Sequence, residues 1–218
     1  MLMKHLRNFS GCLLLYIFTP NAHAQASLPA GEVPMYGDVT RLDRLNKVET
    51  DYIASLEKSG KTRQDVAREV LKAAWAHFQK AEYAHSIRKF NQAWLLDPQN
   101  GDSYHGFAVV TLVRDKLPAE ADRYFRMALA KPGVNVNAYV DYGRLLWMGE
   151  RLEESLGMLN KALSISPKAH NARSNIALVY YKNHDWSKAC EFARAAKENG
   201  DDLQPGFIEE MCAKGATG

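Results

Sequence analysis

Residues 136–167, VNAYVDYGRLLWMGERLEESLGMLNKALSISP, decide the fold of this chain of 218 residues. Within them, Tyr139, Tyr142 and Leu146 are three and four residues apart, which is the spacing of side chains on one face of an α-helix. Small and apolar residues continue at similar spacing further along, and Pro167 lies where a second helix would have to end. The stretch therefore predicts two consecutive helices joined by a short turn.

The same pattern of small and large residues recurs four times along the chain. Its first large position steps by 34, 35 and 34 residues, at Val70, Tyr104, Tyr139 and Arg173. The second copy has one more residue in its loop, at 114–118. Because helix pairs that recur at a fixed period stack on one another, we predict an all-α protein. The predicted architecture is an α-solenoid of about four helix-turn-helix repeats, at about 67–100, 101–135, 136–169 and 170–203.

A period near 34 residues made of paired helices resembles that of the tetratricopeptide repeat (TPR) family, and the resemblance covers about residues 62–200. Segments 88–98 and 103–107 are similar to those of exported bacterial TPR proteins. The chain is also loosely similar to the pilotin-like TPR proteins of type IV pili. In this family the leading helices of successive repeats line a concave groove, and the resemblance implies that this groove holds a partner.

Both ends of the array are predicted to carry capping helices, because a solenoid otherwise exposes an apolar face at each end. Residues 25–61 are predicted to form an extended arm and an N-terminal capping helix that begins at Thr40. Residues 204–218 are predicted to form a short C-terminal capping helix, from about 205 to 213, and a tail. The N-terminal capping helix has one apolar stripe, made of Leu42, Leu45, Val48, Tyr52 and Leu56.

Polar residues mark the starts of three helices within the array. Thr62 and Asp65 have the spacing of a capping box, which opens the leading helix of the first repeat. Ser166 followed by Pro167 is predicted to start the fourth repeat, because serine caps a helix and proline suits its first turn. Asp185 is predicted to cap the last paired helix.

Residues 1–24 are predicted to be a cleaved signal peptide. Lys4 and Arg7 give a positive start, residues 12–18 form an apolar run, and the small-x-small pattern at 22–24 suits cleavage. The alternative is a short membrane or core helix. The apolar run is far shorter than a bilayer span. We therefore expect a periplasmic protein, if the source is a Gram-negative bacterium, with no stable membrane insertion after cleavage.

Whether the cysteines form a disulfide depends on this location. Removal of the signal peptide takes Cys12 away and leaves Cys190 and Cys212, an even number in an oxidising compartment. One lies on the second helix of the last repeat and the other on the C-terminal capping helix. A disulfide between them and a pair of unpaired, buried thiols both fit the sequence.

The TPR resemblance implies a partner-binding groove with an apolar and aromatic lining. By position in the repeat, this lining consists of Leu71, Trp75, Phe78, His105, Val109, Leu112, Val140, Arg144, Trp147, Asn171, Ser174, Leu178, Tyr181 and Lys182. Buried aromatic anchors carry much of the energy of binding, so an apolar peptide or amphipathic helix of an envelope protein is the expected ligand. Arg144 and Lys182 are available for an acidic group. In the alternative, Trp75, Phe78 and Trp147 pack against the N-terminal arm or neighbouring repeats.

Three further rings fall at positions where repeat helices pack on one another. Trp94 and Trp186 are expected to be structural core residues, because large aromatic side chains are mostly buried. His77 takes the place of a tyrosine-type packing residue and is expected to be a core histidine.

The composition and motifs argue against several classes of function. With 28 Lys and Arg against 25 Asp and Glu, the chain lacks the basic excess that nucleic-acid binding requires. No catalytic motif or metal-ligand spacing is present, so we predict no enzyme activity, cofactor or metal. The predicted function is a non-catalytic protein-protein interaction adaptor. The alternatives are an accessory or catalytic protein acting on cell-wall carbohydrate, and a self-associating structural subunit.

Overall fold

A computed structural model describes residues 28–58, 60–132 and 134–213, and these residues form helices and turns without a β-strand. The predicted signal peptide and residues 214–218 lie outside this range. The all-α prediction is confirmed. The α-helices are α1 (Lys47–Lys58), α2 (Arg63–Gln79), α3 (Tyr83–Leu96), α4 (Gly101–Val110), α5 (Pro118–Leu129), α6 (Val136–Met148), α7 (Leu152–Ile165), α8 (Ala172–Lys182), α9 (Trp186–Asn199) and α10 (Phe207–Ala213).

Four pairs of helices form the array, and each pair packs on the next. The pairs are α2 with α3, α4 with α5, α6 with α7, and α8 with α9, which are the four predicted repeats. Phe90, Phe107 and Phe125 are fully buried between successive helices. At Gly143 the helices approach so closely that a Cβ atom would lie 2.7 Å from Cγ of Leu159. Large rings and small residues at fixed repeat positions therefore set how the pairs stack.

Two of the three predicted helix caps are confirmed. Oγ1 of Thr62 accepts a hydrogen bond from the Asp65 amide at 3.1 Å, at the start of α2. Oδ1 of Asp185 accepts one from the Lys188 amide at 3.1 Å, at the start of α9. In both cases a side-chain oxygen satisfies an amide that has no partner within the helix.

The third cap prediction is wrong. Ser166 does not start the fourth repeat, because its amide still donates to the Ala162 carbonyl and it is the C-cap of α7. Two turns come next, and α8 begins only at Ala172, after Asn171 in a left-handed conformation (φ 61°). The serine-proline pair therefore ends one helix and does not begin the next.

The N-terminal capping helix starts later than predicted. Residues Val39–Arg44 form a 3₁₀-helix in which Asp38, not Thr40, supplies the capping oxygen. Leu45 is extended, and Asn46 and Glu49 then cap α1 reciprocally, with each side chain accepting from the other residue's amide at 2.9 and 2.8 Å.

The extended residue between the 3₁₀-helix and α1 changes which side chains α1 buries. The predicted stripe holds only in part, because its leucines pack against the core but Val48 is 76% exposed and Tyr52 is 37% exposed. Leu56 of the stripe packs against Val66 and Leu96 of the first repeat, together with Ile53. The helix still lies where a cap on the array is needed.

The extra residue of the second repeat is absorbed at the end of α4. Residues Thr111–Asp115 continue α4 as one π-helical turn. Lys116 then takes a left-handed conformation (φ 60°), and the Leu117 amide donates to the Thr111 carbonyl. A π-turn accommodates one extra residue within a helix, so α5 and the rest of the repeat keep their packing.

The C-terminal end of the array is covered by α10. Met211 of this helix is buried against Ala189 and Ala193 of α9. Cys190 and Cys212 form a disulfide between α9 and α10, with their Cα atoms 4.5 Å apart. The helix thus closes the apolar end of the solenoid and is joined to it covalently.

The other predicted core rings take different places. Trp94 is buried, as predicted, and its Nε1 donates to the hydroxyl of Tyr104 at 3.0 Å. Trp186 is half-buried at the start of α9, where its ring lies 5.1 Å from that of Tyr181. His77 is not a core histidine, because its side chain is 33% exposed and Nδ1 lies 2.5 Å from Glu82.

Candidate functional site

The leading helices α2, α4, α6 and α8 lie next to one another in that order, and they form one face of the array. We call this face the concave face, after the groove that the TPR resemblance implies there. The residues that the repeat pattern predicts for a groove all lie on these helices or at their ends. Within the described residues, no helix is long and apolar enough to cross a bilayer.

Six of the predicted lining residues are apolar and only half-buried. Because a half-buried apolar side chain still exposes surface that water solvates poorly, this row can contribute to binding. The row consists of Trp75, Phe78, Val109, Leu112, Leu178 and Tyr181.

Two aromatic residues of this row, Trp75 and Phe78, lie on α2 of the first repeat. The Trp75 ring contacts three others, at centroid distances of 5.7 Å to Phe78, 5.1 Å to Phe90 and 4.8 Å to His105. Trp75 is thus fixed by rings of its own and the next repeat while part of it remains exposed. A rigid, partly exposed indole loses little conformational freedom when it meets a ligand.

Of the other predicted lining residues, Leu71, His105, Val140 and Trp147 are buried, and so is Ser174, whose contacts are described below. Trp147 is only 7% exposed, and its Nε1 lies 3.3 Å from Oδ1 of Asn175 on α8. For this residue the structure resembles the alternative in which the ring packs against a neighbouring repeat. We therefore assign Trp147 to the floor of the concave face, beneath any ligand.

A buried histidine links two leading helices in this floor. Nε2 of His105 on α4 lies 2.8 Å from Oδ2 of Asp141 on α6. Asp141 is not among the residues predicted from the sequence. An alignment of the repeat sequences could have indicated this residue, because Asp141 lies one position after the counterpart of His105 on the next leading helix.

The charged lining residues differ in how they are paired. Lys182 is exposed, lies 3.4 Å from Glu150, and stands 5.8 Å from the centre of the Trp147 ring. Arg144 is half-buried and has no hydrogen bond or ion pair to another described residue. An anionic group on a ligand would be the natural partner of this guanidinium.

The remaining predicted lining residues, Asn171 and Ser174, are occupied by contacts within the chain. Oδ1 of Asn171 accepts from the Asp202 amide at 2.8 Å, and the Ser174 amide donates to Oδ2 of Asp201 at 3.0 Å. They therefore tie α8 to the segment after α9. Among residues 28–58, 60–132 and 134–213, no three His, Cys, Asp or Glu side chains are grouped to hold a metal ion.

No protein-family model and no curated protein matches the chain. Several solved structures match it in fold. One, from a functional characterization of PilF of Pseudomonas aeruginosa, is 21% identical over 71% of each chain, with a TM-score of 0.62. PilW, described as a widely conserved type IV pilus biogenesis factor, is 16% identical, with a TM-score of 0.54 over 78% of this chain and 91% of its own.

A third similar structure is YrrB, described as a TPR protein with an unusual peptide-binding site. It is 19% identical over 67% of this chain and 76% of its own, with a TM-score of 0.51. At these identities the similarity concerns the fold. The chain has the TPR fold, an all-α solenoid loosely similar to TPR proteins of pilus biogenesis, and the prediction from the repeat period is confirmed.

Proposed function

We propose that this protein is a non-catalytic adaptor of the bacterial periplasm whose concave face binds a peptide or an amphipathic helix of another envelope protein. The observation that carries the proposal is the row of half-buried apolar side chains on the leading helices, from Trp75 and Phe78 to Leu178 and Tyr181. Rigid aromatic anchors in a concave surface are the usual centres of binding energy.

The charges of the same face indicate what else the ligand carries. Two aromatic residues of the row, Trp75 and Phe78, lie on the first repeat, and the cations Arg144 and Lys182 lie on the third and fourth. Because Arg144 has no partner among the described residues, an acidic side chain or a carboxyl terminus there would gain a charge-assisted hydrogen bond. We therefore propose a ligand with an apolar part and an acidic part.

The location in the periplasm is supported by the signal-like pattern at residues 1–24 and by the pair of Cys190 and Cys212. Disulfides persist in oxidising compartments such as the periplasm and are rare in the cytosol. One similar structure belongs to a protein described as a type IV pilus biogenesis factor. A component of the pilus assembly machinery is accordingly one class of partner to search for.

Capture of partners from envelope extract tests the proposal. Purified wild-type protein would be compared with Phe78→Ser and Arg144→Glu, which change the aromatic and the basic part of the face. Arg194→Glu makes the same charge change at an exposed residue of α9 and is the matched control. We expect both face variants to lose a partner that wild type and Arg194→Glu retain.

Three results would contradict the proposal. Retention of every partner by folded Phe78→Ser and Arg144→Glu would exclude the concave face as the binding site. Turnover of cell-wall carbohydrate by the purified protein would favour the enzyme alternative. A homo-oligomer that both face variants disrupt, with no foreign partner, would favour the self-associating subunit.

A further inference from the structure

The N-terminal arm, residues 29–38, packs mainly on α3, the second helix of the first repeat. Three consecutive main-chain carbonyls of the arm accept hydrogen bonds from side chains of the array. Nδ2 of Asn91 donates to Gly31 and Val33, at 3.0 and 2.9 Å, and Nη2 of Arg114 donates to Glu32 at 2.9 Å. The array thus holds the arm by its backbone, in the way a protein holds a peptide ligand.

Side chains of the arm add two further contacts. Met35 is 3% exposed and belongs to the same hydrophobic cluster as Ile87 and Leu95 of α3. Glu32 forms an ion pair with Arg88 on the same helix. We call the site formed by Arg88, Asn91, Arg114 and the apolar residues around Met35 the outer cleft.

The arm does not use all the hydrogen bonds that the outer cleft offers. Asn91 is fully buried, yet its Oδ1 has no hydrogen-bond partner among the described residues, and neither has the buried Nη1 of Arg114. Buried polar groups in proteins are nearly always bonded. A ligand with an additional amide or carbonyl at this point would therefore bind with bonds that the arm cannot supply.

The arm also adopts an unfavourable backbone conformation in the cleft. Met35 and Tyr36 are both left-handed, with φ of 53° and 57°, and Gly37 comes next with φ of 75°. Residues other than glycine disfavour this region, because their Cβ atoms approach the backbone. The contacts of Met35 hold the turn in this conformation. The cost of the strained backbone lowers the net affinity of the arm for its own cleft.

We propose that the outer cleft is a second peptide-binding site, separate from the concave face, and that the arm occupies it reversibly. Its ligands are short segments that present consecutive main-chain carbonyls and, two residues later, a long unbranched apolar side chain. The arm is the ligand present within the chain itself. Release of the arm makes the cleft available to such a segment of a partner protein.

Binding of the arm, added as a free peptide, to the full-length protein tests this proposal. A fluorescent peptide of residues 28–38, LPAGEVPMYGD, would be titrated into wild type and into Met35→Asp, whose own arm no longer fits the apolar cluster. Because a tethered ligand competes at an effective concentration of about millimolar, wild type should bind the peptide weakly. We expect the variant to bind it about tenfold more tightly or better.

Two further variants make the result decisive. Glu32→Lys places a like charge beside Arg88 without changing the core, and it should also increase peptide binding. Asn91→Leu, added to Met35→Asp, should abolish it. Folding of each variant is checked by helical circular dichroism. Failure of both folded arm variants to bind the peptide more tightly than wild type, or binding that Asn91→Leu leaves unchanged, would overturn the proposal.

Discussion

Nε2 of His105 lies 2.8 Å from Oδ2 of Asp141, and this contact joins the leading helices of the second and third repeats. His105 is 2% exposed, and its ring also contacts those of Trp75 and Phe125, at 4.8 and 5.9 Å. In a solenoid the stability of the whole depends on contacts between neighbouring repeats. This contact between a buried imidazole and a partly exposed carboxylate therefore supports both the stacking of the array and the position of Trp75.

Asp141→Ala should destabilise the protein, because it leaves a nitrogen of the buried His105 ring without its partner. The expected loss in free energy of unfolding is about 1–3 kcal/mol, measured by urea denaturation. Asp51→Ala is the matched control, because Asp51 forms an exposed pair with Lys47 on α1. Its effect should stay below about 1 kcal/mol. Equal losses in the two variants would contradict the structural role given to the pair.

The same glycine-to-alanine change should have opposite effects at two helical positions. At Gly106 a Cβ atom would lie 2.2 Å from Cε1 of buried Phe90, so the helices would have to separate. We expect a loss of about 1–3 kcal/mol or more. At Gly157, within α7, a Cβ atom meets nothing within 4 Å, and alanine should stabilise by about 0.5–1 kcal/mol. Thermal unfolding of both variants measures whether each change raises or lowers the stability. Stabilisation by Gly106→Ala would refute the close approach of this helix to Phe90.

Asp122 should make the array sensitive to acid. Burial raises the pKa of Asp122, but hydrogen bonds from Arg126, Arg151 and Tyr142 outweigh it and lower the pKa below its ordinary value of 3.8. A carboxyl group whose pKa is lower in the folded than in the unfolded state stabilises the protein above its unfolded pKa. That stability is lost as the pH falls through the folded pKa.

Asp122→Asn should therefore lower the urea midpoint clearly at pH 7, and less at a pH below 3.8. The measurement is urea denaturation of wild type and variant at both values of pH. Asp43→Asn removes the same charge at an exposed position and is the control for general charge effects. A difference between wild type and Asp122→Asn that does not shrink in acid would exclude the contribution of the carboxylate.

Local signals in the sequence predicted the repeats well because each is formed by residues close together in the chain. Thr62 and Asp65 are three residues apart, and the cap they predict is present. The predicted start of α1 was wrong because two similar local patterns compete there. Thr40 and Asp43 have the spacing of a capping box, but the chain uses Asn46 with Glu49.

The parts of the candidate site that the sequence did not reveal depend on contacts between distant residues. His105 and Asp141 are 36 residues apart, and Asn91 contacts Gly31 over 60 residues. Such pairs have no local pattern, and only the stacking of helices brings them together. The same stacking buries Trp147, which the repeat position alone places on the groove.

Removal of the disulfide between Cys190 and Cys212 should loosen the end of the array. Their sequence separation is 22, and a crosslink that closes a loop of this size contributes about 3 kcal/mol in the chain-entropy model. Cys190→Ser with Cys212→Ser should therefore lower the melting temperature, and reductant should lower that of wild type to a similar value. Because α10 packs mainly on α9, hydrogen exchange should increase in these two helices and stay unchanged in α2 and α3. A melting temperature of the double variant that still falls with reductant, or faster exchange spread evenly over the array, would contradict a local role for the crosslink.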